Sequence, residues 1–240
     1  MRTITALTGI ILIVGTCVYL GYEVLRMNLL IDEGAKLSRS TQIFERTIDD
    51  KNEILILGDS LAYGVGVDKP EDSFAGVLAE RLKFKSIKNN SEIGETTSSL
   101  DASLNDKMAA RYETTYIIVG GNDIMRMHIN IYGSKDALKS LIKRVSKQSD
   151  NVYLVTTGDF KNVSLSPWIL KNAYSYRSDL IRNTAIDLES KYANFNYIDF
   201  KSVKMSREEY QKLEAADGYH LNEQGIKELI SVTLDEPDKY

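Results

Sequence analysis

EILILGDSLAYG, residues 53–64, decides the fold. Ile54-Leu55-Ile56-Leu57 is an unbroken apolar run closed by Gly58, the pattern of a strand buried on both faces of a parallel sheet. Asp59 and Ser60 follow at once, and both residue types favour the start of a helix. The same alternation repeats outward from this point. SFAGVLAERLK (73–83) sets Phe74, Val77, Leu78 and Leu82 on one helical face, and FKSIKNN (84–90) reads as a second strand. SSLDASLNDKMAAR (98–111) is a helix, TTYIIVGG (114–121) a third strand and SKDALKSLIKRVSKQ (134–148) a helix. NVYLVTTG (151–158) reads as a fourth strand, residues 168–193 as a long helical stretch and FNYIDF (195–200) as a fifth strand. NEQGIKELISVTL (222–234) closes the chain as a helix. Strands alternating with helices predict an α/β sandwich, with a central parallel sheet of five strands covered on both faces.

The N-terminal region has a different composition. Residues 4–22, ITALTGIILIVGTCVYLGY, contain no charge and are bounded by Arg2 and Glu23. At 1.5 Å per residue such a helix is about 28 Å long, close to the hydrocarbon thickness of a bilayer. The run is longer than the apolar part of a usual signal peptide and has no small-residue cleavage site after it. Thr16-Cys17 followed by Val-Tyr-Leu is also a poor match to a lipidation site. We therefore expect an uncleaved anchor at residues 1–25 and a juxtamembrane spacer at 26–50, ahead of a globular domain at 51–240. Packing of residues 23–50 onto the domain is an equal alternative. Arg2 and the terminal amine favour an N-in orientation, which predicts an extracytoplasmic domain.

Composition excludes several function classes. The 240 residues carry 30 Lys and Arg against 34 Asp and Glu, so a net charge of −4 argues against a nucleic-acid partner. With one cysteine, Cys17, and two histidines, His128 and His220, neither a disulfide framework nor a zinc site is expected. Gly58…Gly64-Val65-Gly66 lacks the dinucleotide spacing, and no phosphate-binding G-x-x-x-x-G-K-[ST] occurs. No cofactor is implied.

Chemistry is sought beyond the carboxyl ends of the strands, where open parallel sheets bind ligands. Ser60 follows the first strand, Gly120-Gly121-Asn122-Asp123 ends the third, and Asp217-Gly218-Tyr219-His220 precedes the last helix. A serine hydroxyl needs a base to become a nucleophile, and His220, oriented by Asp217, can supply it. The developing oxyanion needs preorganised donors, for which the Ser60 N–H, the Gly94 N–H and the Asn122 side-chain amide are candidates. Each has a blander reading. Serine after a strand is commonly only a helix cap, and asparagine commonly a turn residue. Asp59 and Asp123 are expected to hold loops by accepting backbone N–H bonds, and His128 lacks an Asp-x-x-His partner. Trp168, Tyr174 and Tyr176 are candidates for an acyl or sugar pocket or, more simply, for core.

Taken together, Ser60, Gly94 with Asn89 and Thr96 at flanking positions, Asn122 in G-x-N-D, and Asp217-x-x-His220 resemble the four blocks of the SGNH (GDSL-type) hydrolases. The resemblance covers about residues 53–230. It departs at Leu221, where many members have proline, and at Ser91-Glu92-Ile93, which is bulkier than usual. It implies a flavodoxin-like three-layer α/β/α fold and an ester or thioester hydrolase. Ser60, Asp217 and His220 would form the triad, and Ser60, Gly94 and Asn122 the oxyanion hole. Expected substrates are small-molecule, lipid or glycan acyl esters, met at a membrane. The alternatives are an O-acyltransferase acting on an envelope glycan or lipid, and a non-catalytic binding protein.

Overall fold

The structure is a computed structural model that describes residues 2–49, 51–83, 85–156 and 158–235. Strands β1 (Ile54–Gly58), β2 (Ile87–Asn89), β3 (Tyr112–Ile118), β4 (Ser149–Thr156) and β5 (Phe195–Asp199) form one sheet in the order β2-β1-β3-β4-β5. All neighbours are parallel, with Ile56 opposite both Asn89 and Tyr116. Every residue of β1 is buried, as its unbroken apolar run requires.

Helices cover both faces. Helix α1 spans Arg2–Ser40, and α2 (Ser60–Tyr63) and α3 (Phe74–Arg81) follow β1. Helix α4 (Thr97–Lys107) precedes β3, with α5 (Gly121–Met125) and α6 (Ile131–Gln148) between β3 and β4. Helix α7 (Lys171–Glu189) precedes β5, and α8 (Arg207–Lys212) and α9 (Glu223–Asp235) complete the chain. Helix α6 packs against α4 and α7, while α3 packs against α9, which defines the two outer layers. Helix α6 shows why: Ile131, Leu138, Leu141, Ile142 and Val145 recur at helical spacing and are all buried. Burying each such side chain contributes about 1.5–3 kcal/mol.

The main elements follow the expected order, with shifted ends. The second strand is shorter than residues 84–90, and the third begins two residues before 114. Phe84 and Thr157, expected in the second and fourth strands, lie outside the described residues, as do Met1, Asp50 and residues 236–240. The short helices α2, α5 and α8 were not separable by periodicity, because four to six residues cannot display a helical repeat.

Helix α1 runs without a break from the apolar segment into the region expected as a spacer. Apolar positions from Ile10 to Tyr22 are largely exposed, whereas residues 23, 26, 27, 30, 33, 34, 37 and 38 are half-buried. That spacing is one helical face laid against the globular part. Beyond it, Arg46 pairs with Ile87 at the sheet edge, and its guanidinium binds the Ala79, Leu82 and Lys85 carbonyls near the end of α3.

Candidate active site

Three loops meet at the carboxyl edge of the sheet. The first is the β1–α2 turn. A Cβ at Gly58 (φ +148°) would lie 2.0 Å from the Ile118 carbonyl oxygen, so only glycine lets β1 leave the sheet this close to β3. Asp59 then caps α2 by accepting the Leu61 N–H at 3.1 Å. This fixes Ser60 as the first residue of α2, whose N–H has no intrahelical acceptor.

The Asp217–His220 turn approaches from the other side. His220 Nε2 lies 2.7 Å from Ser60 Oγ, and His220 Nδ1 lies 2.5 Å from Asp217 Oδ2. Asp217 Oδ1 accepts the Tyr219 and His220 backbone N–H groups, each at 3.0 Å. Burial alone would raise the Asp217 carboxyl, but these bonds and the adjacent imidazole outweigh it and hold the group below its ordinary value. Ser60 is buried at the foot of this turn.

The third loop joins Gly94 and Asn122. Asn122 Nδ2 donates to the Glu95 carbonyl at 2.9 Å, and Arg126 Nη1 donates to the Gly94 carbonyl at 3.3 Å. The Gly94 turn is tied back to β1 through Glu92 N–H to the Gly58 carbonyl at 2.9 Å. Asn89 secures the same segment by donating to the Ala62 carbonyl and accepting from Ser91 Oγ. The candidate oxyanion donors are thus joined to each other by Glu95 and to the serine turn by Gly58. Sequence spacing gave no sign of the Glu95 link.

Asp59 and Asp123 hold loops, as expected: Asp123 Oδ2 accepts the Thr97 N–H at 2.9 Å and the Thr97 hydroxyl at 3.1 Å. Burial pushes the Asp59 carboxyl up to about 7, against the partial relief of the Leu61 N–H and the nearby His220. His128 is exposed in the turn after α5 and bonds to neither Ser60 nor Asp217. A pocket beside Ser60 and His220 is lined by Gly120, Gly121, Phe160, Ile181 and Tyr219 among others. None of the three candidate pocket aromatics lines it. Tyr174 is core, Tyr176 bonds the Tyr132 hydroxyl at the surface, and Trp168 stands beside Tyr19.

Sequence reasoning missed Phe160, Tyr219 and Arg177. Arg177 is buried and donates to the carbonyls of Asp123, Ile124, Arg126 and Ile129, so it clamps the segment carrying Asn122. A buried guanidinium satisfied by carbonyls rigidifies the loop it binds. No group of metal-ligating side chains occurs among the described residues.

Ser60, His220 and Asp217 are hydrogen-bonded in series beside the Gly94 and Asn122 segments, at the carboxyl edge of an α/β/α sandwich. A model of the GDSL-like lipase/acylhydrolase family matches residues 56–227, and the chain belongs to that family of ester hydrolases. No curated protein matches the sequence. A lipolytic protein of the G-D-S-L family from Veillonella parvula is similar in structure, with TM-score 0.63 and 14% identity, covering 78% of this chain and 99% of that one. A lipase/acylhydrolase from Enterococcus faecalis gives TM-score 0.58 at 18% identity, covering 77% and 94%. A carbohydrate acetylesterase family member from Sinorhizobium meliloti gives TM-score 0.55 at 17% identity, covering 74% and 93%.

Proposed function

We propose that the chain is a membrane-anchored serine esterase working through a Ser60 acyl-enzyme. The observation that carries this reading is the continuous relay of 2.7 Å and 2.5 Å from Ser60 Oγ through His220 to Asp217. His220 Nε2 takes the Ser60 proton as Oγ attacks the ester carbonyl, and Asp217 stabilises the imidazolium that forms. The tetrahedral oxyanion is met by the Ser60 N–H, the Gly94 N–H and the Asn122 Nδ2 hydrogen not used on Glu95. His220 returns its proton to the leaving oxygen, and water releases the acyl group by the same steps in reverse order.

The anchor is residues 1–25, with the globular part on the extracytoplasmic side. Length and composition support the anchor, since α1 is a helix able to cross a membrane, near the N-terminus and with its apolar window unburied, and the positive charge of Arg2 and the terminal amine supports the orientation. Partners are then small acyl esters and the lipid itself.

A serine-directed phosphonate tests the nucleophile. We expect stoichiometric labelling of Ser60 in the full chain, and Ser60→Ala to lower aryl-ester turnover at least about a thousand-fold with the fold intact. Labelling at another serine, or near wild-type turnover in Ser60→Ala, overturns the reading.

A further inference from the structure

The surface beside Tyr19 and Arg26 stacks aromatic and cationic groups in the order a bilayer interface requires. Trp168 packs edge-to-face on Tyr19, with ring centroids 6.4 Å apart, yet is 70% exposed, and Ile169 beside it is 66% exposed. Along a helix, Tyr19 lies about 4.5 Å before Tyr22, the last residue of the uncharged run, and Arg26 about 6 Å beyond it. A headgroup layer is about 5–7 Å thick on each side of the hydrocarbon. Trp168 therefore sits at the hydrocarbon boundary and Arg26 at phosphate level.

Cations continue at that level. Arg26, Lys171 and Arg207 line one groove with Tyr22 and Glu23. Arg26 is ion-paired with Glu23 at 2.8 Å and binds the Ser164 carbonyl, which fixes α1 to the loop before Trp168. Lys171 and Arg207 have no carboxylate within ion-pair distance among the described residues. Burial and the neighbouring Arg207 and Arg26 charges lower the Lys171 ammonium from its ordinary value, and the single carboxylate of the groove, Glu23, offsets them only in part because it is paired with Arg26. Trp and Tyr at the hydrocarbon edge with Lys and Arg just beyond are what anionic leaflets attract.

We infer that Trp168, Ile169, Lys171 and Arg207 form a foot by which the catalytic domain docks onto anionic phospholipid of the leaflet that α1 enters. The inference rests on the reading of residues 4–22 as a membrane span. The unbroken helix makes the docking rigid. Gly34, against Asp217, lies about 18 Å along α1 beyond Tyr22, so the foot sets the height of the triad above the lipid.

Trp168 is the single tryptophan, so fluorescence of the full chain reports this site alone. The chain is reconstituted into phosphatidylcholine vesicles with and without phosphatidylglycerol, and carbonate extraction is run in parallel. We expect blue-shifted Trp168 emission, quenched by lipids with brominated chains and protected from iodide. We also expect a larger effect in anionic vesicles, lost in the folded double variant Lys171→Glu, Arg207→Glu. A chain that resists carbonate while Trp168 emits as in water and is quenched only by iodide overturns the foot but not the anchor. Extraction by carbonate overturns both. Equal emission in neutral and anionic vesicles overturns the role given to the cations.

Discussion

Replacing Gly34 tests whether α1 is part of the active site's support. A Cβ placed at Gly34 lies 3.1 Å from Asp217 Oδ2 and 3.5 Å from its Cβ. Asp217 has little room to yield, because Oδ1 holds two backbone N–H groups and Oδ2 holds the His220 ring. Alanine in a helix interior ordinarily gains about 0.5–1 kcal/mol over glycine. Against that gain stands one tight oxygen contact, so Gly34→Ala should leave the melting temperature near wild type and cost a few-fold in kcat. Valine adds two methyl carbons about 1.5 Å beyond the Cβ, which calls for a carboxylate shift of about 1 Å. A misplacement of that size costs about a hundred-fold, below the roughly ten-thousand-fold expected when the orienting carboxylate is lost altogether. Gly34→Val should therefore lower kcat about a hundred-fold on a short aryl ester, with KM little changed because the acyl pocket is not touched. Asp32→Val, on an exposed position of the same helix, should leave kcat unchanged. Circular dichroism and a thermal melt establish that each variant is folded. Wild-type kcat in folded Gly34→Val would refute the reasoning.

Three further outcomes follow from the site. His220→Ala should abolish most aryl-ester turnover while His128→Ala leaves it intact, and the reverse pattern in folded proteins would sink the assigned base. Asp59 has a folded-state pKa of about 7 against an ordinary value of 3.8, so its contribution to stability is complete below about pH 4 and fades as pH rises through 7. Asp59→Asn keeps an acceptor for the Leu61 N–H and should flatten that decline, by a few kcal/mol in urea titrations between pH 4 and 8. Arg177→Met should leave several carbonyls of the Asn122 segment unpaired and destabilise the fold by about 1–3 kcal/mol, and an unchanged urea midpoint would contradict the clamp.

The first strand and the candidate nucleophile were legible in residues 53–60 because both signals are local. Four consecutive branched or long apolar residues need burial on both faces, and glycine, aspartate and serine mark where the chain must turn. The pairing of His220 with Asp217 was legible because only two histidines exist and only His220 has an aspartate three residues earlier. The docking of residues 23–38 stood in the sequence only as one of two equal readings, because Met27, Leu30 and Leu37 on the half-buried face are no more apolar than Leu25, Leu29 and Ile31, which stay exposed. Periodicity could not choose between those faces, and Arg26 on a carbonyl and Gly34 beside a carboxylate, which mark the docked one, carry no apolar signal. Arg177 escaped for a similar reason. A charged residue in a helical pattern reads as solvated surface, and its acceptors lie some fifty positions earlier in the chain.

These contacts bear on why helix α1 continues from its apolar segment to the candidate site at all. A relay from serine to aspartate is useful only if each member is held within about half an ångström. Ser60 is held by the sheet through Gly58 and the cap at Asp59. The His220 turn lies beyond the sheet and depends on its neighbours. Ala215 N–H binds the His220 carbonyl at 2.8 Å, and Leu165 N–H binds the Gly218 carbonyl at 2.8 Å. The Leu165 loop is in turn fixed by Arg26 of α1 through the Ser164 carbonyl, and Gly34 closes on Asp217 from the same helix. Helix α1 thus braces the one part of the relay that the sheet cannot reach. A flexible tether in place of residues 23–40 would leave that turn supported on one side fewer, so the continuity of α1 matters to the candidate site whatever its apolar end is embedded in.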